Sequence, residues 1–216
     1  TAAAIAVVLG FLLWLKAEPT RLRNLGISAL SIIAAASFGS LSFSLIKSAD
    51  WPLADWQVVA CDVGQGDSLV IRSQNQIALI DVGRENRPVD DCLRRLEVKH
   101  IDLLVLTHFD MDHIGGLAGA LRDRTVGLAL VSPFKDERWG ATGTNLKLAG
   151  AGVRVIGVEK GMTGKLGKFD WLVLNPNRNA EGSEDSNDAS IAMLWQSTAF
   201  NILTLADLGE KGQMRM

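Results

Sequence analysis

Cysteine and histidine are scarce in this 216-residue chain, and acids are almost missing from its first stretch. The two cysteines, Cys61 and Cys92, form no CxxC pair and stand in no Cys–His spacing, which excludes a thiolate zinc site. Cys61 falls in an apolar strand-like run and Cys92 in a helical one, so both read first as buried thiols packing as small hydrophobes. A disulfide is the alternative, and it needs an oxidising compartment. A net charge of -2 excludes a broadly basic nucleic-acid surface while leaving room for local patches. No internal repeat occurs.

Residues 1–47 hold a single acid, Glu18, whereas the rest carries nearly all of the 24 Asp and Glu. Ala2–Leu15 is uncharged, and Ile27–Ile46 is an uncharged run of the roughly 20 residues that a bilayer core requires. Ser, Ala and Gly in the second run suit close packing against other membrane helices. Lys16, Arg21 and Arg23 lie between the two runs and favour a cytoplasmic loop. Residues 1–47 are therefore expected to form a transmembrane helical hairpin, the end of a larger multi-pass domain of the inner (plasma) membrane, with everything after Lys47 extracytoplasmic. The chain opens on Thr1 inside apolar sequence and stops at Met216 after a strand-like run, so both ends are expected to be cuts in a longer protein.

From Trp51 the pattern changes to short apolar runs between turns. WQVVACDV reads as a strand, and DSLVIRS and QIALIDV as a hairpin across Ser73–Gln76. Val89, Cys92, Leu93 and Leu96 share one face of a helix over Pro88–Val98. IDLLVLT fits a strand buried on both sides. A short helix over Ile114–Arg122 precedes strand GLALVSP, and a helix over Thr144–Ala151 precedes strand VRVIGVE. Gly161–Lys168 reads as a basic turn, and FDWLVLNP, ASIAMLW and FNILTLAD as three further strands. Hairpins followed by alternating helices and strands predict a mixed α/β domain over 51–216, with sheets inside and helices outside.

Chemistry concentrates in THFDMDHIGG, residues Thr107–Gly116. His108, Asp110, Asp112 and His113 crowd the end of a buried strand and the start of a helix. Residues two apart on an extended loop point the same way, so His108 and Asp110 can converge on one ion while Asp112 and His113 face a second. Four such groups packed at a strand end require a cation to offset their repulsion and desolvation. Asp112 taken alone reads equally well as a helix N-cap. His100 precedes the strand and reads as a surface residue.

THFDMDHIGG resembles the HxHxDH metal motif of the metallo-β-lactamase superfamily, in the HxDxDH form of ComEC-type DNA-uptake proteins. DVGQGDS (Asp62–Ser68), LIDVG (Leu79–Gly83), SNDASIAM (Ser186–Met193) and LTLADLGEKGQ are similar to further segments of that family, so the resemblance covers about 51–216. It implies an αβ/βα sandwich, C-terminally truncated and preceded by the two transmembrane helices. By resemblance His108, Asp110, Asp112, His113 and Asp207 hold up to two divalent ions, with Asp207 bridging and Asp112 and His113 catalytic. By the same resemblance Asp62, Asp67 and Asp81 support the ligand loop; Asn187 and Ser190 read either as orienting substrate or a metal-bound water or as a plain turn and strand. Ala206 stands where the family carries Gly. No histidine follows His113, so the one that completes the family's first metal site is missing, as is a later HHGS-like segment; weak retention of metal is the matching expectation.

Exchanging an imidazole for a carboxylate shifts preference toward Mn²⁺ or Mg²⁺ and away from Zn²⁺. The resemblance implies a metal-dependent phosphodiester hydrolase, a DNA exonuclease domain of a membrane DNA-uptake channel working with other competence proteins. Single-stranded DNA would be held by backbone contacts, with Lys160, Lys165, Lys168, Arg84 and Arg87 as candidate cations. Two other functions stay open: a non-catalytic DNA-guiding or gating module, and a hydrolase of this fold acting on another substrate.

Overall fold

A computed structural model describes residues 9–10, 12, 21–49, 51–177 and 186–216. Contacts divide the chain into a unit ending at Leu53 and a unit over Ala54–Met216. In the first, helix α1 (Arg21–Ala49) contains the whole of Ile27–Ile46. Its side chains are described over residues 26–40, where Ile32 and Phe38 are exposed. Among the described residues no helix is long and apolar enough to cross a membrane, so neither expected span is established. Ala2–Leu15 lies almost wholly outside the described residues.

The second unit begins with β1 (Val58–Ala60), β2 (Leu69–Ser73) and β3 (Gln76–Ile80), joined as antiparallel neighbours. Helix α2 (Asn86–Arg95) then leads to β4 (His100–Leu106), which pairs parallel with β3. Two single turns, α3 (Met111–Ile114) and α4 (Leu117–Ala120), stand where one helix over Ile114–Arg122 was expected, because Gly115 and Gly116 separate them. Strand β5 (Thr125–Val131), helix α5 (Trp139–Gly150) and β6 (Arg154–Gly157) complete a six-stranded sheet in the order β1 to β6. A four-stranded antiparallel sheet follows, of β7 (Thr163–Leu166), β8 (Phe169–Asn175), β9 (Ala192–Gln196) and β10 (Asn201–Thr204), in the order β10-β9-β8-β7. The final turn is α6 (Glu210–Gln213). Strand β7 corrects the expected basic turn: Leu166 is buried and Lys165 pairs with Asp170 on β8, so Gly161–Lys168 supplies an edge strand.

The period of two along each strand divides its side chains between two cores. Ile77, Leu79, Ile101, Leu104 and Leu106 face the helices, where Leu93, Leu117 and Leu148 meet them. Ala78, Ile80, Leu103 and Val105 face the second sheet and pack with Trp171, Val173, Met193 and Trp195. The apolar run of β4 is thus buried on both faces, as expected of a central parallel strand. Arg124 anchors the helical layer by donating from Nη1 to Asp90 Oδ1 at 2.9 Å and from Nε to the Val98 carbonyl at 3.0 Å. Cys61 and Cys92 are joined in a disulfide, Cα atoms 5.8 Å apart, which overturns the reading of two free thiols and ties the end of β1 to α2.

Candidate metal centre

Parallel strands deliver their following loops to one edge of a sheet, and the loops after β3 and β4 meet there. Asp81 is the first residue beyond β3, with φ of 55°, a conformation uncommon outside glycine. Its Oδ1 accepts the Thr107 backbone N–H at 2.8 Å; its Oδ2 accepts the Thr107 hydroxyl at 2.7 Å and lies 2.9 Å from His113 Nδ1. Asp81 is buried, and its side-chain carboxylate bonds to Thr107 and His113 of the ligand loop.

These bonds set the tautomers. His113 donates from Nδ1 to Asp81, which turns its Nε2 toward Asp207 Oδ1, 3.2 Å away. The Thr107 hydroxyl has spent its one hydrogen on Asp81, so toward His108 Nδ1, 3.0 Å away, it can only accept. His108 therefore carries its hydrogen on Nδ1, and Nε2 presents a lone pair. That Nε2 is buried without a hydrogen-bond partner. Donor atoms of His108, His113 and Asp207 all lie within 4.8 Å of one another. A buried, unsatisfied imidazole nitrogen aimed at a second imidazole and a carboxylate is costly unless a cation joins them, so these residues fit a divalent metal.

Electrostatics agree with that placement. Burial and the neighbouring His113 push the His108 pKa down, leaving a neutral ligand. Burial pulls His113 the same way, but the hydrogen bond and charge of Asp81, with Asp207 and Asp112 behind them, outweigh it and raise its pKa to about 9. Partial burial raises Asp67, at the cleft mouth beside Ala206.

The remaining residues expected at the site divide. Asp110 lies 3.9 Å from His108 Nε2 but is engaged elsewhere: Arg138 Nη2 donates to its Oδ1 at 2.6 Å and Ser186 Oγ donates to the same atom at 2.9 Å. Burial raises Asp110, yet Arg138 and Ser186 outweigh it and hold the carboxyl below its ordinary value. Asp112, in the first turn of α3, accepts Gln65 Nε2 at 3.3 Å. Gly66, with φ of 85°, permits that approach, since a Cβ there would meet the Asp112 carbonyl oxygen at 1.7 Å. Ser190 Oγ is 3.4 Å from His108 Nδ1, and Asn187 opens the turn that carries Ser190 there. Asp67 accepts the Gly83 N–H through its carbonyl, while Asp62 is exposed and has no hydrogen bond to the ligand loop among the described residues.

The five candidate DNA cations do not line the cleft beside Asp110. Lys160 Nζ donates to the Met216 carbonyl at 2.7 Å, Lys165 pairs with Asp170, and Arg87 lies 3.4 Å from Asp91. Lys168 is exposed near the β2–β3 turn, and the Arg84 carbonyl packs on Gly115. Sequence reasoning missed Gln65, Asp136, Arg138 and Ser186. The loop after β5 held a signal for two of them: β5 runs parallel beside β4, so the charged run Lys135–Arg138 must emerge next to the ligand loop.

With Asp110 bound to Arg138, the converging donors are two imidazoles and one carboxylate, a set that suits Zn²⁺ as well as Mn²⁺.

"Competence protein ComA" of Neisseria gonorrhoeae is 30% identical over 97 residues, covering 44% of this chain and 13% of that protein. A metallo-β-lactamase of Cronobacter sakazakii superimposes with a TM-score of 0.50 at 12% identity, over 79% of this chain and 64% of the other, a likeness of fold alone. CmlA, a diiron β-hydroxylase of Streptomyces venezuelae, gives 0.46 at 20% identity, over 69% and 29% respectively. The chain thus spans a small part of the curated relative it matches. The family model for the metallo-β-lactamase superfamily matches residues 61–176, more than half of the sequence and the whole of the HxDxDH loop, and the chain belongs to that superfamily.

Proposed function

We propose that this chain is a divalent-metal-dependent phosphodiester hydrolase acting on single-stranded DNA, within a membrane-anchored DNA-uptake protein. The observation that carries the reading is the convergence of His108 Nε2, His113 Nε2 and Asp207 beside an arginine already engaged by carboxylates. A cation held by those three residues supplies Lewis acidity and a lowered pKa for water. Asp81 and Thr107 keep both imidazoles in the tautomers that present Nε2. Asp112, held by Gln65 at the start of α3, is the base nearest His113 in sequence and takes the proton released during attack at phosphorus. Arg138 offsets charge on the substrate.

Similarity to a competence protein supports the DNA-uptake setting, and the Cys61–Cys92 disulfide supports an extracytoplasmic side. Exposed Ile32, Ile33 and Phe38 on α1 support an anchor in the membrane. A non-catalytic DNA-guiding module is the second reading, favoured by the engagement of Asp110 with Arg138 and Ser186.

The test is cleavage of end-labelled single-stranded DNA by the full chain in Mn²⁺, Zn²⁺ and Mg²⁺, with the Asp112→Ala, His113→Ala double variant as control. Metal-dependent cleavage that disappears in the variant is expected. A folded wild-type chain that binds DNA but cleaves nothing in any of the three metals would support the guiding module instead.

A further inference from the structure

We propose that Arg138 and Trp139 form a nucleotide clamp at the edge of the metal centre, the guanidinium holding a backbone phosphate and the indole stacking on a base of a single strand. This rests on the phosphodiester reading and names the contacts that would recognise the polymer. Arg138 is fixed from behind: its Nε donates to Asp136 Oδ1 at 2.9 Å and its Nη2 to Asp136 Oδ2 at 2.5 Å, and the Asp136 side chain is only 2% exposed. Its Nη2 also reaches Asp110 at 2.6 Å, inside the HxDxDH loop. All of these bonds use Nε and Nη2. Both hydrogens of Nη1 are left for a ligand among the described residues, on a side chain 56% exposed in a cleft of about 620 Å³. A planar fork anchored along one edge and open along the other suits a phosphate oxygen.

The next residue, Trp139, is 81% exposed and opens α5. A solvated indole packs against nothing that would repay its exposure. Helix α5 is seated on the ligand loop at this point, since a Cβ on Gly140 would meet Met111 Sδ at 3.1 Å and the Phe109 carbonyl oxygen at 3.8 Å. The seating holds the start of α5 against the ligand loop, with Arg138 on Asp110 and Trp139 next to it in the chain. Alternation of a cation for the phosphate with an aromatic face for the base is how sequence-tolerant single-strand sites are built. The cleft itself, lined by Asp110, Asp136, Glu137, Lys135 and Arg138, has one more carboxylate than cations. DNA binding there is accordingly expected to strengthen when the neighbouring centre holds a divalent ion.

Fluorescence anisotropy of the full chain, with and without Mn²⁺, tests the clamp with two probes: a phosphorothioate-linked oligothymidylate and an abasic phosphorothioate oligomer of equal length. Wild type is expected to favour the base-bearing strand by about tenfold, with Trp139→Ala abolishing that preference and Trp139→Phe keeping most of it. Arg138→Ala is expected to weaken both probes and to lower the slope of log K against log salt by about 0.7, while Arg138→Lys keeps the slope. A wild type without base preference, a Trp139→Ala variant that retains it, or an Arg138→Ala variant with an unchanged slope overturns the clamp. Cleavage assays on the same proteins separate the two readings. Clamp behaviour without cleavage sinks the hydrolase and spares the clamp, whereas Mn²⁺-dependent cleavage without base preference does the reverse.

Discussion

Asp81 Oδ2 lies 2.9 Å from His113 Nδ1, both side chains are buried, and the same carboxylate holds the Thr107 backbone and hydroxyl. Asp81→Asn keeps the shape but sets an amide against the imidazole, which favours the wrong tautomer. Metal affinity is expected to fall by about 10- to 100-fold. Competition with a chromophoric chelator measures it, and an unchanged affinity would show that Asp81 does not orient the ligand.

The raised pKa of His113, about 9, makes metal binding compete with a proton. Apparent affinity should rise about tenfold per pH unit between about pH 6 and 8, read by the same competition. In metal-free protein the sign is opposite. A folded pKa above the ordinary 6.5 means that the imidazolium stabilises fully below pH 6.5, and that this stability is lost as pH rises through about 9. Urea midpoints in EDTA across that window should therefore decline with pH on His113's account, and His113→Gln should flatten the decline.

Asp207 and Asp110 are both motif carboxylates, but only Asp207 joins the two imidazoles. Asp207→Ala is expected to cost far more Co²⁺ affinity than Asp110→Ala, with a loss of about tenfold or more for Asp207. Visible absorption of the Co²⁺ complex reports the change in ligand set. Equal losses would mean that Arg138 releases Asp110 when metal enters.

The Cys61–Cys92 bridge spans 31 residues of sequence. By loop-closure entropy its removal costs about 3.7 kcal/mol. Cys61→Ser and Cys92→Ser should each lower the urea midpoint by the corresponding amount and dithiothreitol should mimic them, with no further effect of the reductant on the variants.

Much of this architecture was legible in the chain. The largely apolar run Ile101–Leu106 fitted a strand buried on both faces, and the grouping of His108, Asp110, Asp112 and His113 just beyond it marked the site. Single-residue chemistry was less legible where a partner is distant. Lys165 reads as a free cation until β8 brings Asp170 beside it, and the cysteines read as thiols until α2 docks near β1.

The sequence by itself determined the layered α/β class and the position of the ligand loop, since periodicity and contiguous motifs need no tertiary information; the roles of Asp81 and Asp207 came from the family resemblance. Tertiary structure alone decided which carboxylate faces the imidazoles and which is drawn away. That choice rests on Arg138, 28 residues beyond Asp110, and parallel pairing of β4 with β5 brings the two loops to one edge. There a 2.6 Å ion pair draws Asp110 toward the cleft that Arg138 lines, an outcome that motif spacing alone does not encode.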